Sequence, residues 1–191
     1  MNSVRILAFA GSLRTGSYNK KLVKLGQQAA IDAGCAVDIV DLRDFQMPIY
    51  DGDLETREGQ PSSARELKKL MLKSDGLLLS CPEHNGAISA VLKNTIDWVS
   101  RPQPNEPSAF KGKTAALIGA SMGTLGCQRA FVSVRQVLTA LGVLVIPTQL
   151  GISQAQNAFA EDGSFTNDLH RTLLADVVAE FAKVTSALRV E

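Results

Sequence analysis

Residues 4–19 read VRILAFAGSLRTGSYN, an apolar run that leads directly into a loop of glycine, hydroxyl and arginine residues. A helical pattern begins where this loop ends. In α/β proteins a strand, a glycine-containing loop and a helix start form a phosphate cradle, because N–H groups at the helix N-terminus point outward and the helix dipole favours an anion. Arg14 adds a planar set of charged donors that suits phosphate. The stretch therefore predicts an α/β fold with a phosphate-binding loop.

Apolar strand-like runs alternate with helix-like patterns along the rest of the chain, which predicts a parallel sheet with helices on both faces. Five strands are expected, at residues 4–10, 37–42, 76–81, 114–120 and 143–146. Five helices are expected, at about residues 19–33, 64–73, 89–99, 128–141 and 167–188. The connections with turn-rich or irregular composition are residues 45–63, 101–108 and 148–164. Because the chain has no repeat, low-complexity tract or linker, residues 1–191 are expected to form a single domain.

The composition is that of an ordinary globular protein, with 45% hydrophobic residues, 20% charged residues and a net charge of +1. This balance gives no electrostatic reason to expect binding to nucleic acid or to an anionic membrane. The three cysteines have no Cys-x-x-Cys spacing, which argues against a disulfide framework and a structural zinc site, so no metal is predicted. With neither a signal-peptide pattern nor a membrane-spanning apolar segment, a cytoplasmic protein is expected.

Three loops of unusual composition each follow a predicted strand, at residues 11–19, 82–86 and 121–126. The carboxyl ends of parallel strands meet at one edge of the sheet, and ligands of α/β proteins bind there. Taken alone, each loop is more readily explained as a turn that needs glycine. Three such loops at one edge favour a shared ligand site.

The first loop is compatible with three kinds of phosphate ligand. A dinucleotide fingerprint requires a glycine two residues after Gly11, which this chain lacks, and an NTP-binding loop requires a lysine where Ser17 stands. A single terminal phosphate, as in flavin mononucleotide (FMN), requires only hydroxyls, amides and one cation. Those groups are present as Ser12, Arg14, Ser17 and Asn19.

The motifs GSLRTGSYN (11–19), PEHNG (82–86), LKNTIDW (92–98) and SMGTLG (121–126) resemble the NADPH-dependent FMN reductase family. Within this family, bacterial chromate and quinone reductases and related azoreductases are the most similar. The phrase PIYD (48–51) also matches, so the resemblance covers nearly the whole chain in order. It implies a flavodoxin-like three-layer sandwich with strand order 2-1-3-4-5 and non-covalently bound FMN.

The resemblance also implies which residues bind the cofactor. The phosphate would be held by Ser12, Arg14, Ser17 and Asn19. The isoalloxazine ring would lie along Pro82, Glu83, His84, Asn85 and Gly86. The other side would be closed by Ser121, Met122 and Gly123. No catalytic residue is assigned, because the flavin carries the redox chemistry.

Two residues depart from the family pattern, which usually has tyrosine at position 84 and often a second glycine at position 127. His84 is expected to pack as the tyrosine would, without an acid–base role. Cys127 is expected to be a small buried residue, the commoner state of a free cysteine, although a position at a helix N-terminus would lower its thiol pKa. Glu83 is expected to act through its backbone more than through its carboxylate.

The activity implied by the resemblance is hydride transfer from NADPH or NADH through FMN to quinones, with azo dyes, chromate and free flavins as further acceptors. The alternative is a flavodoxin-type electron carrier that acts with a partner protein. Flavodoxins are strongly acidic, so the net charge of +1 favours the enzyme. A homodimer or homotetramer is implied, with Tyr50 reaching the flavin site from across the interface. Arg101, Lys111 and Arg129 are candidates for selecting the 2′-phosphate of NADPH.

Overall fold

A computed structural model describes residues 3–189 of the chain. The strands are β1 Arg5–Ala10, β2 Ala36–Val40, β3 Gly76–Ser80, β4 Glu83–His84, β5 Ala87–Ile88, β6 Thr114–Ala120 and β7 Leu144–Ile152. The helices are α1 Tyr18–Asp32, α2 Gly52–Glu58, α3 Ser62–Leu72, α4 Ala90–Val99, α5 Gln128–Ala140, α6 Ala155–Ala158 and α7 Asp168–Leu188. In this part of the chain, no helix is both long and apolar enough to cross a membrane.

The main sheet has five parallel strands in the order β2-β1-β3-β6-β7, which confirms the predicted order of five strands. The central strands β3 and β6 are buried at every position, whereas the edge strand β2 has no fully buried residue. Continuous apolar runs suit the two central strands because helices cover both of their faces. The strand order reverses between β1 and β3, which places a ligand crevice at their carboxyl ends.

The two faces of the sheet carry separate hydrophobic cores. On one face, Leu22 of α1 and Val177 of α7 pack with Ile6 and Leu78. On the other face, apolar residues of α3, α4 and α5 pack with alternate strand residues, among them Leu67, Ile96, Phe131 and Leu77. Each fully buried side chain of this size contributes about 1.5–3 kcal/mol to folding before entropy is counted. The result is the predicted three-layer α/β sandwich.

Two short elements lie in segments that were predicted to be loops. Helix α2 forms within residues 45–63 although it buries no side chain, so its sequence has no apolar period to reveal it. It begins where the Asp51 side chain accepts a hydrogen bond from the backbone N–H of Asp53 (2.9 Å). Strands β4 and β5 form a small hairpin in which Asn85 and Gly86 have φ values of 53° and 79°. Two left-handed residues are what a tight type I′ hairpin turn requires.

The last strand is longer than predicted, because β7 continues from residue 146 to Ile152. The pairing of β6 with β7 shifts between Ala115 and Leu117, so the strand bulges around Pro147. Proline cannot donate a ladder hydrogen bond and is accommodated at bulges and edge strands, and β7 is both. The prediction of an irregular segment over residues 148–164 was therefore wrong for its first five residues, and Ala155–Ala158 adds the short helix α6.

Candidate functional site

The three glycine- and hydroxyl-containing loops line one cavity of about 840 Å³ at the carboxyl edge of the sheet. Eleven of the twelve residues expected at the site line it, and Gly86 lies beneath Arg129 instead. Lining residues that the sequence did not single out for the flavin include Leu13, Tyr18, Ala90, Val91, Ala120 and Arg129. Arg129 was considered only for NADPH selection, whereas the others are apolar or aromatic neighbours of the loops with no signal of their own.

The first loop ends at Ser17, which is the N-cap of α1. Its hydroxyl makes no capping hydrogen bond, and the residue is only 6% exposed. A hydroxyl that has no hydrogen-bond partner within residues 3–189 and stands at a helix N-terminus is a ready acceptor and donor for a ligand phosphate. Within residues 3–189, the exposed guanidinium of Arg14 also has no acidic partner.

Asn19 joins the first loop to the ends of two strands. Its Nδ2 donates to the Ala120 carbonyl (2.8 Å), while its Oδ1 accepts from the Ala120 N–H (3.0 Å) and the Ser80 hydroxyl (2.9 Å). Both lone pairs of the side-chain oxygen are thereby used. The side chain therefore fixes the start of α1 against β3 and β6.

Gly11 allows the first loop to lie against the start of α4. A Cβ atom at this position would stand 2.8 Å from the Leu92 Cβ, closer than side chains tolerate. The Ser89 hydroxyl donates to the Gly11 carbonyl (2.7 Å) and accepts from the Leu92 N–H (3.3 Å), so it also caps α4. The glycine is required here by close approach and not by backbone conformation.

Glu83 connects the second loop to the third through its carboxylate. The carboxylate accepts hydrogen bonds from the N–H groups of Arg129 (3.1 Å) and Ala130 (3.4 Å) in the first turn of α5, and from the Arg129 Nε (2.7 Å). Burial of the carboxyl opposes ionisation, but the hydrogen bonds from Arg129 outweigh it and lower the pKa of Glu83 below its usual value. The carboxylate therefore also caps a helix, a structural role that the sequence did not predict.

The hairpin that follows Glu83 presents His84 and Asn85 at its exposed tip, on the rim of the cavity. A Cβ atom at Gly86 would lie 3.6 Å from the Arg129 guanidinium carbon, so the arginine extends over the hairpin turn. The Ile88 N–H donates to the Ser133 hydroxyl of α5 (2.8 Å), which ties the far end of the hairpin to the same helix. The second loop and the start of α5 are therefore joined into one wall of the cavity.

Cys127 precedes α5 in the left-handed conformation, with φ of 66°, and is fully buried. Glycine adopts this conformation without strain, which gives a physical reason for a glycine at this position in related sequences. Burial raises the pKa of the Cys127 thiol to about 11, so the thiol stays protonated at neutral pH. The structure thus supports a buried structural cysteine and not an activated one.

Tyr50 belongs to a cluster within its own chain. Its hydroxyl donates to Glu55 (2.9 Å), its ring meets Trp98 edge-on at 5.0 Å, and the Arg101 guanidinium lies 5.3 Å from the ring centre. Arg101 also donates to Glu55 (3.0 Å), which secures α2. Neighbouring Ile49 is 86% exposed and is therefore the apolar side chain of this segment that remains available to a partner.

Comparisons of this chain with a family model and with individual proteins agree on one family. A model of the NADPH-dependent FMN reductase family matches residues 4–157. An NAD(P)H-dependent FMN reductase of Pseudomonas aeruginosa is 36% identical over 176 residues, covering 91% of this chain and 90% of that protein. A 2-hydroxy-1,4-benzoquinone reductase of Burkholderia sp. is 31% identical over 182 residues, covering 94% of this chain and 95% of that one.

A solved structure has the same fold over nearly the whole chain. The flavoenzyme NAD(P)H:(acceptor) oxidoreductase FerB of Paracoccus denitrificans superposes with a TM-score of 0.81 and 31% identity, covering 96% of this chain and 98% of that one. An azoreductase of Bacillus anthracis, at 19% identity and a TM-score of 0.62, shares the fold. With a family model over most of its length and relatives above 30% identity along nearly all of it, this chain belongs to the NADPH-dependent FMN reductase family.

Proposed function

We propose that this protein is an FMN-dependent NAD(P)H oxidoreductase that reduces quinones. The observation that carries the proposal is the cavity at the sheet edge, where the first loop meets two further loops of the same sheet. Within residues 3–189, the Ser17 hydroxyl and the Arg14 guanidinium of this first loop have no protein partner. The family supplies the cofactor and the electron donor, and the names of relatives such as the Burkholderia enzyme supply the acceptor class.

The residues of the cavity fit a flavin phosphate. A single phosphate dianion needs several hydrogen-bond donors and one compensating cation, without a metal ion. Ser12, Ser17 and the backbone N–H of Asn19 supply neutral donors at the helix start, and Arg14 supplies the cation. With the phosphate held there, the remaining cavity extends to residues 82–86 and 121–123, which would bind the two sides of the ring.

When bound, FMN supplies the two-electron chemistry that no side chain of this protein provides. The chain's own task is to orient the ring, exclude water and place positive charge beside it. Arg129, held by Glu83 on the cavity wall, is the cation in reach of the second loop. His84 on the exposed rim packs against ligands as tyrosine would, and it is not required as a proton donor.

The acceptors fit the shape of the site. The cavity is open at its rim, where exposed Leu13 and Met122 offer apolar surface to a flat ring such as a quinone. Azo dyes, chromate and free flavins are proposed as further electron acceptors. NADPH and NADH are both candidate donors.

We also propose that the protein is a homodimer or homotetramer in the cytoplasm, each chain forming a single domain over residues 1–191. Leu13 and Met122 on the rim of the cavity are 45% and 61% exposed, and Ile49 beside Tyr50 is 86% exposed, so apolar side chains near the site are available to a second subunit. A second copy of the chain would cover this surface and complete the cavity. Tyr50, positioned by its contacts with Glu55 and Arg101, would contribute to the flavin site of that second copy from across the interface.

Steady-state assays test the proposal. The purified protein with FMN is expected to oxidise NADPH or NADH when a benzoquinone is present and no partner protein is added. An Arg14→Ala variant, assayed at subsaturating FMN, is expected to lose rate because it holds less flavin, and excess FMN should restore that rate. Absence of turnover with any quinone in the flavin-loaded protein would refute the enzyme and favour an electron carrier that needs a partner.

A further inference from the structure

A second cleft opens beside the phosphate cradle. It has a volume of about 550 Å³ and lies between α1 and the turn at residues 161–164. We call it the lysine cleft, because Lys20, Lys21 and Lys24 of α1 line it. Ser17 lines both this cleft and the flavin cavity, so the two adjoin at this residue.

The charges of the lysine cleft are only partly neutralised by the protein. Lys20 binds Asp41, with oxygens at 2.6 and 2.8 Å from its Nζ. Lys21 and Arg43 are each close enough to a carboxylate of the cleft to lower its pKa, Lys21 that of Asp162 and Arg43 that of Asp41. Within residues 3–189, Lys24 has no acidic side-chain partner. Lys24, and Lys21 whose charge is shared with a single exposed carboxylate, offer sites for further phosphate oxygens beside the cradle.

The opposite wall of the cleft has different chemistry. The turn contributes the carboxylates of Glu161 and Asp162, and Asp162 already accepts hydrogen bonds from the N–H (2.9 Å) and hydroxyl (2.7 Å) of Ser164. Carboxylates at nucleotide sites accept hydrogen bonds from ribose hydroxyls, and they repel a phosphate on the same ribose. The cleft therefore combines cations for a phosphate with acceptors for an unphosphorylated ribose.

We propose that the lysine cleft binds the adenosine monophosphate half of flavin adenine dinucleotide (FAD), so that this protein accepts FAD as well as FMN. FAD extends FMN at its phosphate, and the cleft begins at that end of the cradle, at Ser17. Lys21 and Lys24 bind the second phosphate, and the carboxylates of the turn bind the ribose. The proposal rests on the assignment of the cradle to a flavin phosphate.

The test compares the affinities of the apo-protein for FMN and FAD by quenching of flavin fluorescence. The readout is the ratio of the FAD affinity to the FMN affinity, in the natural protein and in the Lys21→Ala/Lys24→Ala double variant. The loss of two charged phosphate contacts is expected to lower this ratio about tenfold. The matched control is Lys69→Ala/Lys73→Ala, which removes two exposed lysines of α3 and its C-cap and is expected to leave the ratio unchanged.

Each contrary outcome has a distinct meaning. Failure of the natural protein to bind FMN would refute the cradle itself and not only the cleft. If FMN binds and FAD does not, or if the double variant leaves the ratio within twofold of the natural value, the proposal is wrong. A rise in the KM for NADPH but not for NADH in the double variant, with an unchanged ratio, would assign the lysines to the 2′-phosphate of NADPH and would also overturn it.

Discussion

Replacing Glu83 tests whether its carboxylate stabilises the protein by capping α5. In Glu83→Ala, two N–H groups at the start of α5 lose their acceptor, which costs about 1–2 kcal/mol for a helix cap. The negative charge at the helix N-terminus is worth about 0.3–1 kcal/mol. The ion pair with Arg129, which is 60% exposed, adds about 0.2–1 kcal/mol. Since these contributions overlap, we expect the variant to lose about 2 kcal/mol of unfolding free energy.

Urea denaturation of the flavin-free protein measures this loss, which corresponds to a fall in Tm of about 4–8 °C for a domain of this size. Glu83→Gln keeps an acceptor for the helix but loses the charge, so about half of the loss is expected. The matched control is Glu58→Gln in α2, an exposed glutamate whose one ion pair within residues 3–189 is with its neighbour Arg57. Its effect should stay below about 0.5 kcal/mol. A Glu83→Ala variant as stable as this control would refute the role of the carboxylate.

The pH dependence of the same variants gives an independent check. Because the pKa of Glu83 is lower in the folded protein than in the unfolded chain, its charge stabilises the fold above the unfolded-state pKa. That contribution disappears as the pH falls through the folded-state value. The difference in stability between the natural protein and Glu83→Gln should therefore be constant near neutral pH and shrink below about pH 4.3, the ordinary glutamate pKa. A difference that grows on acidification would contradict this sign.

Three further predictions follow from the cavity walls. Asn19→Ala should lower the unfolding free energy by about 2–4 kcal/mol, measured by urea denaturation, because the Ala120 and Ser80 groups it satisfies are buried; a change under 1 kcal/mol would contradict that role. Cys127 should resist iodoacetamide in the native protein at neutral pH, as followed by mass spectrometry, since burial raises its thiol pKa to about 11; rapid alkylation would show an activated thiol. His84→Tyr should retain most quinone reductase activity at saturating FMN, and a fall of several orders of magnitude with flavin still bound would assign His84 a chemical role.

The fold was predictable because its main signals are local. The buried strand β3 is a continuous apolar run, and each binding loop follows a strand directly in the sequence. The strand order and the site followed from the family resemblance and from the shared edge of a parallel sheet. Helix α2 escaped prediction because it has no apolar face, and the later half of β7 did so because a proline normally ends a strand.

The connections inside the site could not be predicted in the same way. Asn19 bonds to a residue 101 positions away, and Glu83 bonds to a helix start 46 positions away. Hydrogen bonds between distant segments leave no period or spacing in the sequence. Asparagine and glutamate are also common on protein surfaces, so neither Asn19 nor Glu83 signals its contacts by residue type. The sequence thus identified the loops of the site, whereas the side chains that hold the loops together emerged only from the structure.

The claim at the centre of this account is that residues 11–19 anchor the phosphate of FMN. The direct test is the affinity of the apo-protein for FMN and for riboflavin, which lacks the phosphate, in the natural protein and in Arg14→Ala. The loss of charge-assisted hydrogen bonds from the arginine should weaken FMN binding about 10- to 100-fold while leaving riboflavin binding unchanged. A natural protein that binds the two flavins equally, or a variant that weakens both by the same factor, would contradict the claim.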